Sequence, residues 1–222
     1  MKLKLMILIS LICLGTVGCK SKTDVSDSVI EVIIEETAKS EVEQSVETKD
    51  EENEEQVSPI FKELENLEFY FSSGAGGWRT ILHIDKYGNF QGQYSDSEMG
   101  SIGEGYPKGT YYICDFSGKF GEPVKINEYI YSMKIEEIQS EKEEDTEEII
   151  DEIMYYYSIP YGLDGTKEVL LYIPGAPISE LPEEYMGWIW SSMTDPEAKE
   201  LPFYGIYNAK EQNGFSSYEA NN

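Results

Sequence analysis

Every aromatic residue of the chain lies after Ser58: 17 Tyr, 8 Phe and 3 Trp crowd into residues 58–222, and the first 57 hold none. A core needs large apolar side chains, so the folded part of the chain has to be built from that aromatic stretch. Within it, apolar positions recur with period two. Trp78, Thr80, Leu82 and Ile84 alternate with Arg79, Ile81 and His83. Asp85-Lys86-Tyr87-Gly88 reads as a turn, and Phe90, Gly92 and Tyr94 then alternate with Gln91 and Gln93. Two period-two runs about a short turn predict a hairpin. Further strands are predicted over 65–71, 110–116, 126–138, 153–159, 168–173 and 203–208, with a last pairing near Phe215. One helix is predicted over 179–193, with Pro182, Glu183 and Glu184 in its first turn. Leu181, Tyr185, Trp188, Ile189 and Met193 share one face of it. The expected class is therefore mainly β: an antiparallel β-barrel or sandwich of about eight strands with one C-terminal helix.

The opening of the chain has a different character. Met1-Lys2-Leu3-Lys4 is cationic, Leu5 to Leu14 is almost wholly apolar, and Gly15-Thr16-Val17-Gly18 leads with small residues into Cys19. This is the layout of a secretory signal, and the apolar run is too short for a spanning helix, which needs about 20 residues. The stretch resembles the lipobox of bacterial lipoproteins, with Thr16 where that pattern usually has Leu. The resemblance implies cleavage before Cys19, covalent lipid such as palmitate-containing diacylglyceryl on its sulfur, and a cell-membrane location on the extracytoplasmic face. Two acyl chains hold a protein firmly where one does not. No other cofactor is expected.

Residues 20–57 hold 4 Lys against 13 acids, and residues 58–222 hold 11 basic residues against 30 acidic. The predicted organisation is a signal peptide over 1–18, a lipid anchor and acidic disordered tether over 19–57, and one β-rich globular domain over 58–222. A formal charge of −26 excludes nucleic acid as a partner, because binding needs cations to displace counterions from phosphates. It also leaves attachment to the membrane to the lipid. Cys13 leaves with the signal and Cys19 is acylated, so Cys114 is the one thiol of the domain and no internal disulfide forms. In the strand run Thr110 to Phe116 it reads as a small buried hydrophobe.

Candidate chemistry is sparse. Phe71-Ser72-Ser73-Gly74-Ala75-Gly76-Gly77-Trp78 reads as a flexible hairpin turn. Its functional reading is a binding-loop lip, with Trp78 as a stacking platform and Arg79, the chain's one arginine, as a polar clamp. Both would reach one mouth only if a bulge turned them the same way. Ser95-Asp96-Ser97-Glu98-Met99-Gly100 spaces oxygen ligands like half a calcium loop, but the twelfth position is Tyr106, so a solvated turn is expected and no metal site. Glu141 to Glu152 is a run of acids with one base, Lys142, and reads first as a solvated loop between two strands, its repeated like charges opposing a helix, and second as an ion- or partner-binding knob. His83, the one histidine, reads as half-exposed and rules out a His-based triad. The abundant tyrosines, including Tyr111-Tyr112, Tyr129, Tyr131 and Tyr155-Tyr156-Tyr157, read first as barrel filling and second as a sugar site.

Tyr106-Pro107-Lys108-Gly109-Thr110, Phe116-Ser117-Gly118-Lys119-Phe120, Pro160-Tyr161-Gly162-Leu163 and Leu171-Tyr172-Ile173-Pro174-Gly175, with the glycine stretch before Trp78, resemble a family of lipoproteins of Gram-positive anaerobes that carries no assigned activity. The resemblance spans most of residues 67–208 and implies export and a single domain, not a mechanism. The leading expectation is a non-catalytic surface domain for a small molecule, glycan or protein. The alternatives are a secreted hydrolase using a carboxylate pair, and a spacer without a pocket.

Overall fold

In the computed structural model the described residues are 57–74 and 76–220. The signal segment, Cys19 and all of the expected tether except Val57 lie outside them. In chain order the elements are α1 (Pro59–Leu64), β1 (Leu67–Ser72), β2 (Trp78–Ile84), β3 (Asn89–Glu98), β4 (Thr110–Phe120), β5 (Val124–Lys125) and β6 (Ile130–Ser140). Then follow β7 (Thr146–Ile150), β8 (Ile153–Tyr157), β9 (Glu168–Tyr172), α2 (Glu183–Ile189), β10 (Gly205–Asn208) and β11 (Asn213–Glu219).

Eight of the strands close on themselves. The order β6-β9-β10-β11-β1-β2-β3-β4 returns to β6 through its pairing with the second half of β4, and every step is antiparallel. The expected fold class holds, as a barrel. Eight strands give an interior just wide enough to be filled by side chains, and here it is filled. Phe69 and Phe71 of β1, Leu82 of β2, Phe90 of β3, Met133 of β6 and Phe215 of β11 are each at most 1% exposed. Phenylalanine and glycine face each other twice across β3 and β4: Phe90 pairs with Gly118, and Gly92 pairs with Phe116. A Cβ at either glycine would run into the opposing ring. The Phe116-Ser117-Gly118-Lys119-Phe120 motif thus has a packing reason.

Both ends of the barrel are stoppered. At one end α1, unforeseen in the sequence, inserts Phe61 and Leu64. At the other, the 158–166 connection folds inward and buries Leu163. Thr80 Oγ1 donates to the Tyr161 carbonyl at 2.7 Å, and Asn208 Nδ2 donates to the carbonyls of Gly162 and Asp164 at 3.2 and 3.3 Å. Gly162 has φ +102°, and a Cβ there would lie 2.7 Å from the Phe215 ring and 2.8 Å from the Phe71 ring.

The predicted helix begins later than expected. Ile178–Glu180 is a 3-10 turn, α2 starts after Pro182, and a second 3-10 turn carries it to Ser192. Its apolar face is as predicted: Tyr185 and Ile189 are buried, with Leu181, Trp188 and Met193 packed beside them. That face covers the outer side of the barrel at Tyr172 and Tyr207, and Tyr185 lies over Gly205 and Gly214, where a Cβ would collide with it.

Two expectations are corrected by the sheet. The solvated turn expected at Ser95–Gly100 is strand as far as Glu98, because β4 is eleven residues long and pairs with β3 up to Glu98↔Thr110. The solvated loop expected over Glu141 to Glu152 is mostly hairpin. β7 pairs with β8, and the turn between them holds Asp151 at φ +51° and Glu152 at φ +68°, the two left-handed residues of a type I′ turn. Lys108 pins that turn, bonding the Asp151 carbonyl at 3.0 Å and the Glu152 carboxylate at 2.9 Å. β8 runs parallel to the first half of β4, so β8 and β7 continue the barrel wall beyond the closed part.

Candidate functional site

A single row of directly paired residues crosses five strands of this extended wall. Trp78 pairs with Asp96, Asp96 with Tyr112, Tyr112 with Tyr156, and Tyr156 with Glu147. Paired residues lie on one face of a sheet, so the row shares the face that inside the barrel carries the core. Four strand spacings make it roughly 19 Å long. It alternates aromatic and acidic groups along much of its length, and neighbours two residues along each strand add Tyr94, Glu98 and Asp145 to the same face.

The inner end of the row is packed. Trp78 lies edge-on to Phe71 at 4.9 Å and to Tyr161 at 5.1 Å, with Trp188 at 6.0 Å. Tyr94 stands 5.4 Å from Tyr161. Burial pushes the Tyr94 hydroxyl up to about 12, and the charge on Asp96 adds to the shift. Further out the rings are half-exposed. Tyr112 and Tyr156 are 5.5 Å apart. Tyr156 donates to Asp145 at 2.6 Å, and Tyr112 reaches Glu98 at 3.5 Å. Both hydroxyls are raised above the ordinary tyrosine value, Tyr156 first by its bond to Asp145, Tyr112 first by desolvation and then by Glu98. The outer rings thus remain neutral and are held among carboxylates. Such a surface attracts a cation twice, through the negative ring faces and through charge.

Trp78 and Arg79 are not brought together. Their β2 register with β3 has no shift, so Trp78 points to the mouth and the exposed Arg79 points to the outer face. His83 shares that outer face, is exposed, and lies 3.8 Å from Glu68. The stretch before Trp78 is the β1–β2 hairpin connection, as expected. Cys114 is 3% exposed, and burial raises its thiol, the opposite of what an activated nucleophile needs. Cys19 lies outside the described residues. Tyr111, Tyr112 and Tyr155–Tyr157 are not barrel filling, because β4 joins the closed part only from Phe116 onward and β8 never enters it. Nothing in the sequence sets Asp96, Asp145 and Glu147 apart from the many other acids of the chain. Their signal lay in two runs of neighbouring tyrosines whose pairing is fixed by a parallel contact some forty residues apart.

Among the described residues no cluster of three His, Cys, Asp or Glu is placed to hold a metal ion, and no helix is long and apolar enough to cross a membrane. At the α1 end an open cleft of about 220 Å³ lies between Phe61, Tyr87 and Glu136. It is smaller than the roughly 300–1,000 Å³ of small-molecule sites. Comparison of the chain with protein-family models, with curated proteins and with solved structures finds no match.

Proposed function

We propose that this protein is a lipid-anchored extracytoplasmic binding module, and that the row from Trp78 to Glu147 is its binding face. The carrying observation is the contrast between a barrel interior filled by side chains and a wall that continues outward bearing half-exposed tyrosines among acids. A filled barrel has no room for a ligand inside, so recognition falls to the surface. The face favours a ligand that stacks on rings and carries positive charge. The anchor rests on the context of Cys19, which supplies a membrane partner without any cationic surface.

The test is a titration of the full chain, followed by its tryptophan fluorescence, against spermine, a lysine-rich peptide and a neutral oligosaccharide. The cationic probes should bind saturably, and Tyr112→Ala with Tyr156→Ala should weaken them by about fivefold or more. The neutral sugar should bind less. Cationic binding that survives loss of both tyrosines contradicts the reading.

A further inference from the structure

The hairpin that carries the outer end of the row also ends the sheet. Met154 N–H bonds the Gly109 carbonyl at 3.1 Å, and Ser158 N–H bonds the Ile113 carbonyl at 2.9 Å. Alternate main-chain groups of a strand point to opposite edges, so residues 154, 156 and 158 face β4 and residues 153, 155 and 157 face β7. Their partners there are Ile150, Glu148 and Thr146. The main-chain N–H and C=O of Glu147 and Ile149 are then turned outward, and among the described residues β7 is an edge of the sheet.

Edges of this kind are ordinarily shortened, bulged, or interrupted by proline. β7 is a regular five-residue strand without proline, all of it exposed, and it shows Ile149 at 47% and Ile150 at 41%. Its turn is tied down by Lys108, so the edge is presented in fixed geometry. Only charge guards it. Two copies pairing edge to edge would set Glu147 and Glu148 against their own counterparts, and like charges opposite each other oppose pairing. The guard that repels a second copy favours a strand of opposite charge.

We infer that the β7 edge is a β-augmentation site for an extended basic segment of a partner protein. The segment adds a twelfth strand through the main chain of Glu147 and Ile149. Its basic side chains meet Glu147 and the acid-and-tyrosine face on one side; on the other side Glu148 is already paired with Lys142 at 3.8 Å and bonded by Tyr157 at 3.0 Å. This rests on the reading of the protein as a surface-binding module and adds the class of partner.

The experiment is amide hydrogen exchange on the full chain, alone and with a twelve-residue peptide (probe length chosen on the order of two strand lengths) that alternates Lys and Thr. Its controls are an alternating Glu–Thr peptide and spermine. With the Lys–Thr peptide, exchange at Glu147 and Ile149 should slow by about tenfold or more, as it does when a free amide enters a ladder. The Glu–Thr peptide and spermine should leave those two amides unchanged. Ile149→Pro, which removes an outward N–H and no bond to β8, should cost the Lys–Thr peptide about tenfold in affinity. Glu147→Lys, a second variant that leaves the main chain intact, should also weaken it. Binding of the Lys–Thr peptide without protection of Glu147 and Ile149 overturns the edge site while leaving the cationic face standing. Failure of both Lys–Thr and spermine to bind overturns both.

Discussion

At the scale of single residues, Trp78 shows how far alternation can be read. Period two assigned the faces of 78–84 correctly: Thr80, Leu82 and Ile84 are buried, Arg79 and His83 exposed. What waits on the inward side of Trp78 could not be read, because Tyr161 and Trp188 arrive from remote parts of the chain. Trp78→Ala should destabilise by about 2–4 kcal/mol, somewhat below the cost for a fully buried tryptophan, since the ring keeps part of its surface in solvent. Arg79→Ala, on the outer face, should fall within about 0.5 kcal/mol of the parent. Chemical unfolding of the two variants side by side checks both. Gly162 is a sharper case. Its left-handed φ and the two rings that a Cβ would strike predict that Gly162→Ala costs more than the roughly 1–3 kcal/mol typical of backbone strain alone.

At the scale of elements, the strongest sequence signals were the period-two hairpin and the amphipathic helix, and both are present. The helix starts late because the Pro182 ring disfavours helical backbone at the residue before it; Leu181 is extended at ψ 144°, which leaves Ile178–Glu180 as a separate turn. The weakest signals were α1 and β7. α1 has six residues, too few for a 3.6-residue period to show. The acidic run did exclude a helix, but Thr146-Glu147-Glu148-Ile149-Ile150 has no alternation, because both faces and one edge of β7 are exposed. Its turn residues carry a second signal of strain. Asp151 and Glu152 hold positive φ without being Asn or Gly. Asp151→Asn with Glu152→Gly should stabilise the protein by about 0.5–1 kcal/mol. A thermal melt that falls instead would mean that the Lys108–Glu152 pair matters more than the backbone.

At the scale of the whole molecule, the class was readable and the closure was not, since closure depends on β4 splitting its pairing between β6 and β8. Tyrosines packed at the mouth of the barrel and beneath α2 have a pH consequence. Desolvation raises Tyr94 and Tyr172 from 10.0 to about 12 and pushes Tyr161 and Tyr185 upward as well. The folded state holds these protons more tightly than the unfolded chain. Their contribution is therefore full below pH 10 and is lost as pH rises toward 12. The tyrosines should therefore leave the melting temperature unchanged between neutral pH and about 10 and lower it above that, as thermal scans across that range would record. Removal of residues 1–57 should leave the midpoint within a few degrees, because that stretch has no aromatic group to contribute to a core.

The central claim, that this protein binds on the outside of a filled barrel, is tested most directly by mapping a bound ligand onto the aromatic rings. With carbon-13 in the Phe, Tyr and Trp side chains, the best cationic ligand of the titration is added and the ring signals are followed by NMR. Tyr112 and Tyr156 should shift first and most, with Trp78 and Tyr94 following and Phe69, Phe90 and Phe215 unmoved. Shifts concentrated on those three buried rings, with Tyr112 and Tyr156 unchanged, would place the ligand inside the barrel and contradict the claim.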